Sequence, residues 1–523
     1  MEFELSSFLL LLLSLLASIF AIRKLAKTRK NPKPKFPPGP RKLPLIGHLH
    51  HLTGPDPPHY KLADLSKRYG PLMYLRLGEI DNIVVSSPEI ARAFLKTHDV
   101  TFASRPSLLS TEIGCYNNTD IAFAPYGDYW RQLRKICTLE LLSAKRVQSF
   151  RPIRVEVSSK LCKWIAASQD EGSTVNLSER VSMSNYDVMV RAAIGKKSDE
   201  ASAFTRVVKE GIRLVNVFHI ADLYPSIKIM QMIGGLRTKI ENHHRQLDRI
   251  IGNVIDERKR ENARVATVGD GDGDGEKRED LLDVLLKFQS SGSLDIPLTD
   301  DNIKAVLQDM FGAGVDTSPT VIDWAMSEML RNPRVLKKAQ EEVRRVFDSK
   351  GGIVDERYFD ELKYFKLVIK ETLRAHPVVP LLLPRESREP CLINGYEIPV
   401  KTRVVVNAWA IGRDPEYWEE PESFKPERFI ETPIEFTGNN FEYIPFGSGR
   451  RACPGMMIGL ANVELPLAMF LYHFDWMLPD GMKPEDLDMT ELAGASARRK
   501  FDLCVVPTLR RPLPHQGIGI NSF

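Results

Sequence analysis

The chain opens on an uncharged, mostly apolar run from Leu5 to Ile22. As a helix its 18 residues span about 27 Å, close to the hydrocarbon thickness of a bilayer. Beyond residue 40 the pattern changes. Short apolar runs broken by turn residues occupy 41–100, where Leu72 to Leu77 and Ile83 to Ser86 predict strands. From Trp130 onward, long amphipathic stretches predict helices. β-Branched residues return from Ile398 to Val406 and predict a further strand. Residues 302–331 predict a long helix, with Thr299 as N-cap, Asp300 and Asp301 in the first turn and Asn332-Pro333 as its stop. The expected class is mainly α with small β-sheets.

Composition changes this picture little: 523 residues, 43% hydrophobic and 27% charged, are an ordinary globular balance. Length alone suggests about three domains, but no internal repeat supports a division. Charge is more telling. Arg23, Lys24, Lys27, Arg29, Lys30, Lys33 and Lys35 stand against only Glu2 and Glu4 at the amino terminus, so residues 1–35 carry +5 and the rest of the +4 chain carries −1. The near-neutral remainder does not read as a nucleic-acid binder. Cations after the apolar run, with acids before it, favour an uncleaved anchor over a cleaved signal peptide. They place the amino terminus in the lumen and the body in the cytosol. Phe36-Pro37-Pro38-Gly39-Pro40 then forms a stiff link to the body. On this topology neither sequon, at Asn117 or Asn176, carries glycan.

Candidate chemistry is sparse. The acidic stretch Gly269 to Gly275 places Asp270, Asp272, Asp274 and Gly275 like the start of an EF-hand loop. Its twelfth position is Leu281 where a bidentate glutamate is required, so a solvated linker is expected. His48, His50 and His51 read as a surface loop, and His243 and His244 as part of a charged, solvated helix. The six cysteines include no CxxC pair, which argues against zinc, thioredoxin-type and disulfide-scaffold readings. Cys453 alone has informative neighbours, in Phe446-Gly447-Ser448-Gly449-Arg450-Arg451-Ala452-Cys453-Pro454-Gly455. The glycines allow close backbone approach and φ > 0 turns. Pro454 suits the first position of a helix continuing through Met456 to Leu471. The sulfur then lies at a helix N-terminus, which stabilises an anion.

This run resembles the haem-binding loop of the cytochrome P450 family, Phe-x-x-Gly-x-Arg-x-Cys-x-Gly, through Phe446, Gly449, Arg451, Cys453 and Gly455. Other matches follow the family's order. Glu371 and Arg374 form Glu-x-x-Arg, and Arg428 stands in Pro426-Glu427-Arg428-Phe429; the resemblance implies a buried network bracing the haem loop. Ala313-Gly314-Val315-Asp316-Thr317 resembles the family's oxygen-side helix, where Thr317 and Asp316 supply protons. Pro319 departs from the polar residue expected there, and its missing N–H predicts a kink or an added water. Trp130 and Arg134 (Trp-x-x-x-Arg), with Arg385 and Arg451, are the implied partners of the haem propionates. Lys135, Arg134 and Arg450 are expected on a basic face for an acidic redox partner.

Together these features resemble a plant microsomal cytochrome P450 of the A-type group. The implied organisation is a transmembrane anchor (1–22), a basic and Pro-rich neck (23–40), one catalytic domain (41–511) and a disordered tail (512–523). The implied cofactor is haem b, iron protoporphyrin IX, with Cys453 as the iron ligand. The implied partners are NADPH-cytochrome P450 reductase, the endoplasmic reticulum membrane and a lipophilic small molecule. Pocket walls are expected from 106–122, 306–317, 378–383 and 493–497. Small Ala493, Gly494 and Ala495 favour a bulky terpenoid. Phenolic or alkaloid oxidation, a reductase-independent isomerase or dehydratase on the same fold, and a non-catalytic haem sensor or carrier are the alternatives.

Overall fold

A computed structural model describes residues 34–168, 173–195, 207–208, 210–211, 214, 219–232, 235–268, 279–492, 494 and 496–513. The expected membrane run, most of the neck, the linker at 269–275 and the tail beyond 513 lie outside the described residues.

Five helices frame the interior: α1 (Asp128–Ile136), α2 (Leu177–Ile194), α3 (Asp300–Arg331), α4 (Lys363–Ala375) and α5 (Met456–His473). The long one, α3, begins where its sequence signals it. Thr299 accepts from the Asn302 N–H at 3.2 Å, and Asn302 Oδ1 accepts from the Thr299 N–H at 3.0 Å. This reciprocal cap satisfies two otherwise unpaired donors. The helix then serves as a spine between two buried clusters. Ile303, Leu307 and Phe311 join Tyr186 and Val190 of α2 and Leu285. Met326 and Met329, further along, join Phe365 of α4 and Phe470 of α5. Each such side chain contributes about 1.5–3 kcal/mol by leaving water. Although α5 is long and apolar enough to cross a bilayer, 61% of it is buried, as befits a core helix.

The main sheet has four strands, β1 (Leu72–Leu77), β2 (Ile80–Val85), β3 (Arg385–Glu386) and β4 (Arg403–Val406), in the order β1-β2-β4-β3. β1 and β2 form an antiparallel hairpin, so β2 starts at Ile80, earlier than its β-branched core suggests. β2 pairs parallel with β4, Ile83 opposite Val404, and β3 closes the edge antiparallel, Arg385 opposite Val404. The strand expected over 398–406 is in fact two, Tyr396–Ile398 and Arg403–Val406. Between them Pro399 lacks a ladder donor and Lys401 turns left-handed at φ 64°. The edge strand β3 delivers Arg385 to the site.

Candidate active site

Cys453 sits on a loop closed by its own backbone, the Cys453 N–H donating to the Phe446 carbonyl at 2.9 Å. Gly449 is needed where it stands: φ is +70°, and a Cβ would lie 2.2 Å from the Leu95 carbonyl oxygen. Behind it, Asp99 Oδ1 accepts from Arg385 at 2.7 Å and Oδ2 from the Arg450 N–H and guanidinium at 3.0 Å each. The following helix starts later than expected. Gly455 is the N-cap of α5, with φ −92°, so Pro454 lies outside the helix. The Gly455 N–H still reaches the sulfur. Burial pushes the Cys453 thiol up, while that N–H and the Arg134 guanidinium pull toward the thiolate.

The thiol opens on a cavity of about 480 Å³. Residues of α3 between Gln308 and Ser318 line the same cavity. Thr317 Oγ1 donates to the Ala313 carbonyl at 2.8 Å, and Ser318 Oγ to the Gly459 carbonyl of α5 at 3.2 Å. Asp316 Oδ2 accepts from Ser496 Oγ. Gly314 packs against Met189, and a Cβ there would meet the movable Met189 Cε at 2.4 Å. Three of the expected walls contribute, through Thr111 and Ile121, through Asp309 and Ala313, and through Val378 and Leu382. Of the fourth, Ser496 faces the cavity; Ala493 and Ala495 lie outside the described residues.

Pro319 lies inside α3, which continues as one helix to Arg331. The Val315 carbonyl, whose i+4 donor proline removes, instead accepts from Asn185 Nδ2 at 3.1 Å. Three histidines depart from expectation. His48 is 2% exposed and bonded to the Pro40 carbonyl at 2.8 Å, while His243 and His244 line the cavity. Their helix, Leu236–Val268, is rich in charge on its outer face, which disguised its inner one.

The arginines converge on one end of the cavity. Arg451 Nε donates to the Ala103 carbonyl at 2.6 Å, and its guanidinium stacks 4.1 Å from the Trp130 ring. Trp130 Nε1 donates to the Ile121 carbonyl at 3.0 Å, and Arg134 to the Ala452 carbonyl at 2.6 Å. Arg134 therefore turns inward and leaves Lys135 and Arg450 on the outer surface. Arg105, which no motif pointed to, donates to the Leu383 and Pro384 carbonyls at 2.6 and 2.9 Å. Burial, then repulsion from Arg385, brings Arg451 down to about 9. Burial, then Arg451 and Arg385, lowers Arg105 well below the ordinary arginine value. Arg105, Arg134 and Arg451 held on carbonyls and Arg385 on the Ser448 carbonyl, with Asp99 their only direct carboxylate partner among the described residues, fit a ligand that brings two carboxylates. A haem meets that demand beside a cysteine ligand.

Two further carboxylates were also missed. Asp309 Oδ2 accepts from the Ile121 and Ala122 N–H groups at 2.7 and 3.1 Å, and Asp120 accepts from the Phe123 N–H at 3.1 Å. Burial, then the Asp120 charge, raises Asp309 well above the usual carboxylate range. The pair clips the loop that supplies carbonyls to Trp130 and Arg451.

At α4, Glu371, Arg374 and Arg428 come together. Arg374 Nε and Nη2 donate to Glu371 at 2.8 and 2.9 Å, and Arg428 Nε at 3.0 Å. The Glu371 and Arg374 side chains are fully enclosed, 0% exposed. Tyr443, just upstream of the cysteine loop, donates to the Lys370 carbonyl at 2.7 Å.

A cysteine whose thiol is exposed to an apolar cavity, lined also by a long helix, with cations gathered at the cavity's edge, defines a haem-thiolate protein. A family model described as cytochrome P450 matches residues 37–505. The chain is 52% identical over 497 residues to premnaspirodiene oxygenase of Hyoscyamus muticus, covering 95% of this chain and 97% of that one. It is 52% identical over 489 residues to salviol synthase of Salvia pomifera, covering 93% and 94%. A zebra fish cytochrome P450 solved with progesterone superposes with a TM-score of 0.72 at 25% identity, covering 87% of this chain and 100% of that one. The chain belongs to the cytochrome P450 family, in the plant A-type group. It is a monooxygenase that binds haem b.

Proposed function

We propose that this monooxygenase inserts one oxygen atom from dioxygen into a lipophilic plant specialised metabolite, with a terpenoid as the leading class. The observation that carries the reading is that Cys453 and Thr317 line one and the same largely apolar cavity. Cys453 provides the thiolate ligand, and Arg105, Arg134, Arg385 and Arg451 hold the two propionates. Phe446, Gly449 and Gly455 shape the loop so that the sulfur faces inward. Bound there, haem supplies the oxygen-activating chemistry. Thr317 presents a hydroxyl on the cavity side of α3, and Asp316, held by Ser496, is the ionisable group one residue away. Together they pass protons inward, as oxygen reduction requires.

The walls favour an apolar substrate: Ile121, Phe123, Val378 and Leu382 offer contact area without hydrogen bonds. The relative named premnaspirodiene oxygenase acts, by that name, on a diene, which supports the terpenoid reading. Electrons come from NADPH-cytochrome P450 reductase, and Lys135 and Arg450 lie on the outer surface near the cysteine loop. The apolar run 5–22 and the cations after it support anchoring in the endoplasmic reticulum membrane, with the body in the cytosol.

The test is co-expression with a plant reductase and incubation of microsomes with NADPH and a panel of terpene hydrocarbons, phenols and alkaloids. Oxygen incorporated from labelled dioxygen into a terpene is the expected result. Turnover of amines or phenols alone would overturn the substrate class. Product formed without reductase or dioxygen would replace the monooxygenase step with isomerisation or dehydration. Thr317→Ala is expected to divert electrons from product to hydrogen peroxide.

A further inference from the structure

Pro319 costs α3 a donor at a sensitive place. Residue 319 is the i+4 partner of Val315, and proline has no N–H to give. The orphaned carbonyl lies between Gly314 and the proton-delivering pair, Asp316 and Thr317. A buried carbonyl without a partner is destabilising, yet the helix continues without a break.

The missing donor comes from another helix. Asn185, in α2 and 5% exposed, donates through Nδ2 to the Gly314 carbonyl at 2.9 Å and the Val315 carbonyl at 3.1 Å. Two carbonyl acceptors on one side require the NH₂ end of the amide there. The other end is fixed too: Asn185 Oδ1 accepts from Asn462 Nδ2 of α5 at 3.3 Å. Gly314 stands against Met189, one turn along from Asn185, and the Met189 terminal methyl would have to shift to admit a Cβ. Pro319, Gly314, Asn185 and Asn462 thus form one device spread over three helices.

We infer that Asn185 is a positioning residue for the oxygen-side turn of α3: it replaces the N–H that Pro319 lacks and thereby sets the carbonyl geometry beneath Asp316 and Thr317. The effect on proton delivery rests on the reading of Thr317 and Asp316 given above. The link between Asn185 and Pro319 does not.

The experiment is a double-mutant cycle on full-length holoenzyme: wild type, Asn185→Ala, Pro319→Ala and the double variant. Two quantities are read. One is the melting midpoint. The other is the fraction of NADPH recovered as hydrogen peroxide, with reductase and no added substrate. Asn185→Ala alone is expected to lower the midpoint by several degrees and to change the peroxide fraction roughly twofold. Pro319→Ala in that background restores both, because alanine carries the backbone N–H that the Val315 carbonyl needs. Additive midpoints, or no loss in Asn185→Ala, overturn the link. Should Asn185→Ala fail to yield holoenzyme, recovery of holoenzyme in the double variant supports the link and continued failure overturns it. A Thr317→Ala control separates the two claims. If it leaves the peroxide fraction unchanged, the proton-delivery reading falls, while non-additive midpoints still establish the Asn185–Pro319 link. If those midpoints are non-additive but Asn185→Ala leaves the peroxide fraction unmoved, the positioning role falls.

Discussion

Glu371→Gln removes one charge from the brace and leaves two guanidiniums behind. Glu371 accepts from Arg374, from Arg428 and from the Lys425 N–H at 2.8 Å. Hydrogen bonds to a charged group contribute about 1.5–3 kcal/mol each, but these share two oxygens and do not add. Taking one partner from a buried ion pair costs about 3–5 kcal/mol, because the other charge stays buried and uncompensated. Against a typical total of about 5–15 kcal/mol, that is a large part of the protein's stability. Arg374→Lys should cost nearly as much. Arg374 also donates to the Gly412 and Pro421 carbonyls, both at 2.8 Å, and a single ammonium cannot span these directions. The damage should reach the cysteine loop through Trp418, which lies beside the Arg374 guanidinium and donates to the Glu442 carbonyl at 3.3 Å. The assay is the yield of the thiolate-type Soret band in the ferrous carbon monoxide complex, with the melting midpoint of whatever holoenzyme forms. Wild-type yield and midpoint in both variants would refute the brace.

Cys453→Ser should abolish the thiolate-type carbon monoxide spectrum, and its retention would refute the assignment of the ligand. Arg105→Met should speed transfer of haem to apomyoglobin by about tenfold; an unchanged rate would exclude Arg105 from the propionate site. His376 lies flat against Trp324 at 3.9 Å, with Nε2 2.7 Å from Glu328 and Nδ1 3.6 Å from Glu491. Burial opposes its protonation, but those carboxylates prevail and raise it above 6.5. Its charged form therefore stabilises the fold fully below pH 6.5 and progressively less as pH rises through the raised value. Melting midpoints measured from about pH 6 to pH 9 should fall more steeply in wild type than in His376→Gln, and parallel curves would refute this.

What the sequence could disclose followed from how local each signal is. The cap at Thr299 and the hairpin strand Leu72–Leu77 are written in neighbouring residues, and the structure places them as read. The partner of Glu371 three residues on was legible from spacing, whereas its enclosure was implied only by the family resemblance, since it depends on the segments 412–428. The Asp309 contact with Ile121 joins residues 188 positions apart, and no periodicity announces it. Arg105 escaped for the same reason, for its partners Leu383 and Pro384 arrive from a distant loop. Pro319 was legible as a missing donor, but the amide that meets the Val315 carbonyl was not, because it comes from α2. His243 and His244 show the remaining failure: a helix can be charged on one face and still present its other face to a cavity.

The arginines around the cavity hold main-chain oxygens: those of Ala103, Ile121, Ala124, Pro384 and Ala452. Such anchors are indifferent to side-chain identity, because every residue type carries the same carbonyl. The cofactor's seat is thus encoded in the path of the chain, whereas the walls that meet substrate are encoded in what the chain wears. One half of the pocket can drift toward new molecules while the other keeps its grip. A library varied at Val378, Leu382 and Ile121 should therefore remain loaded with haem even as its members part company over what they oxidise.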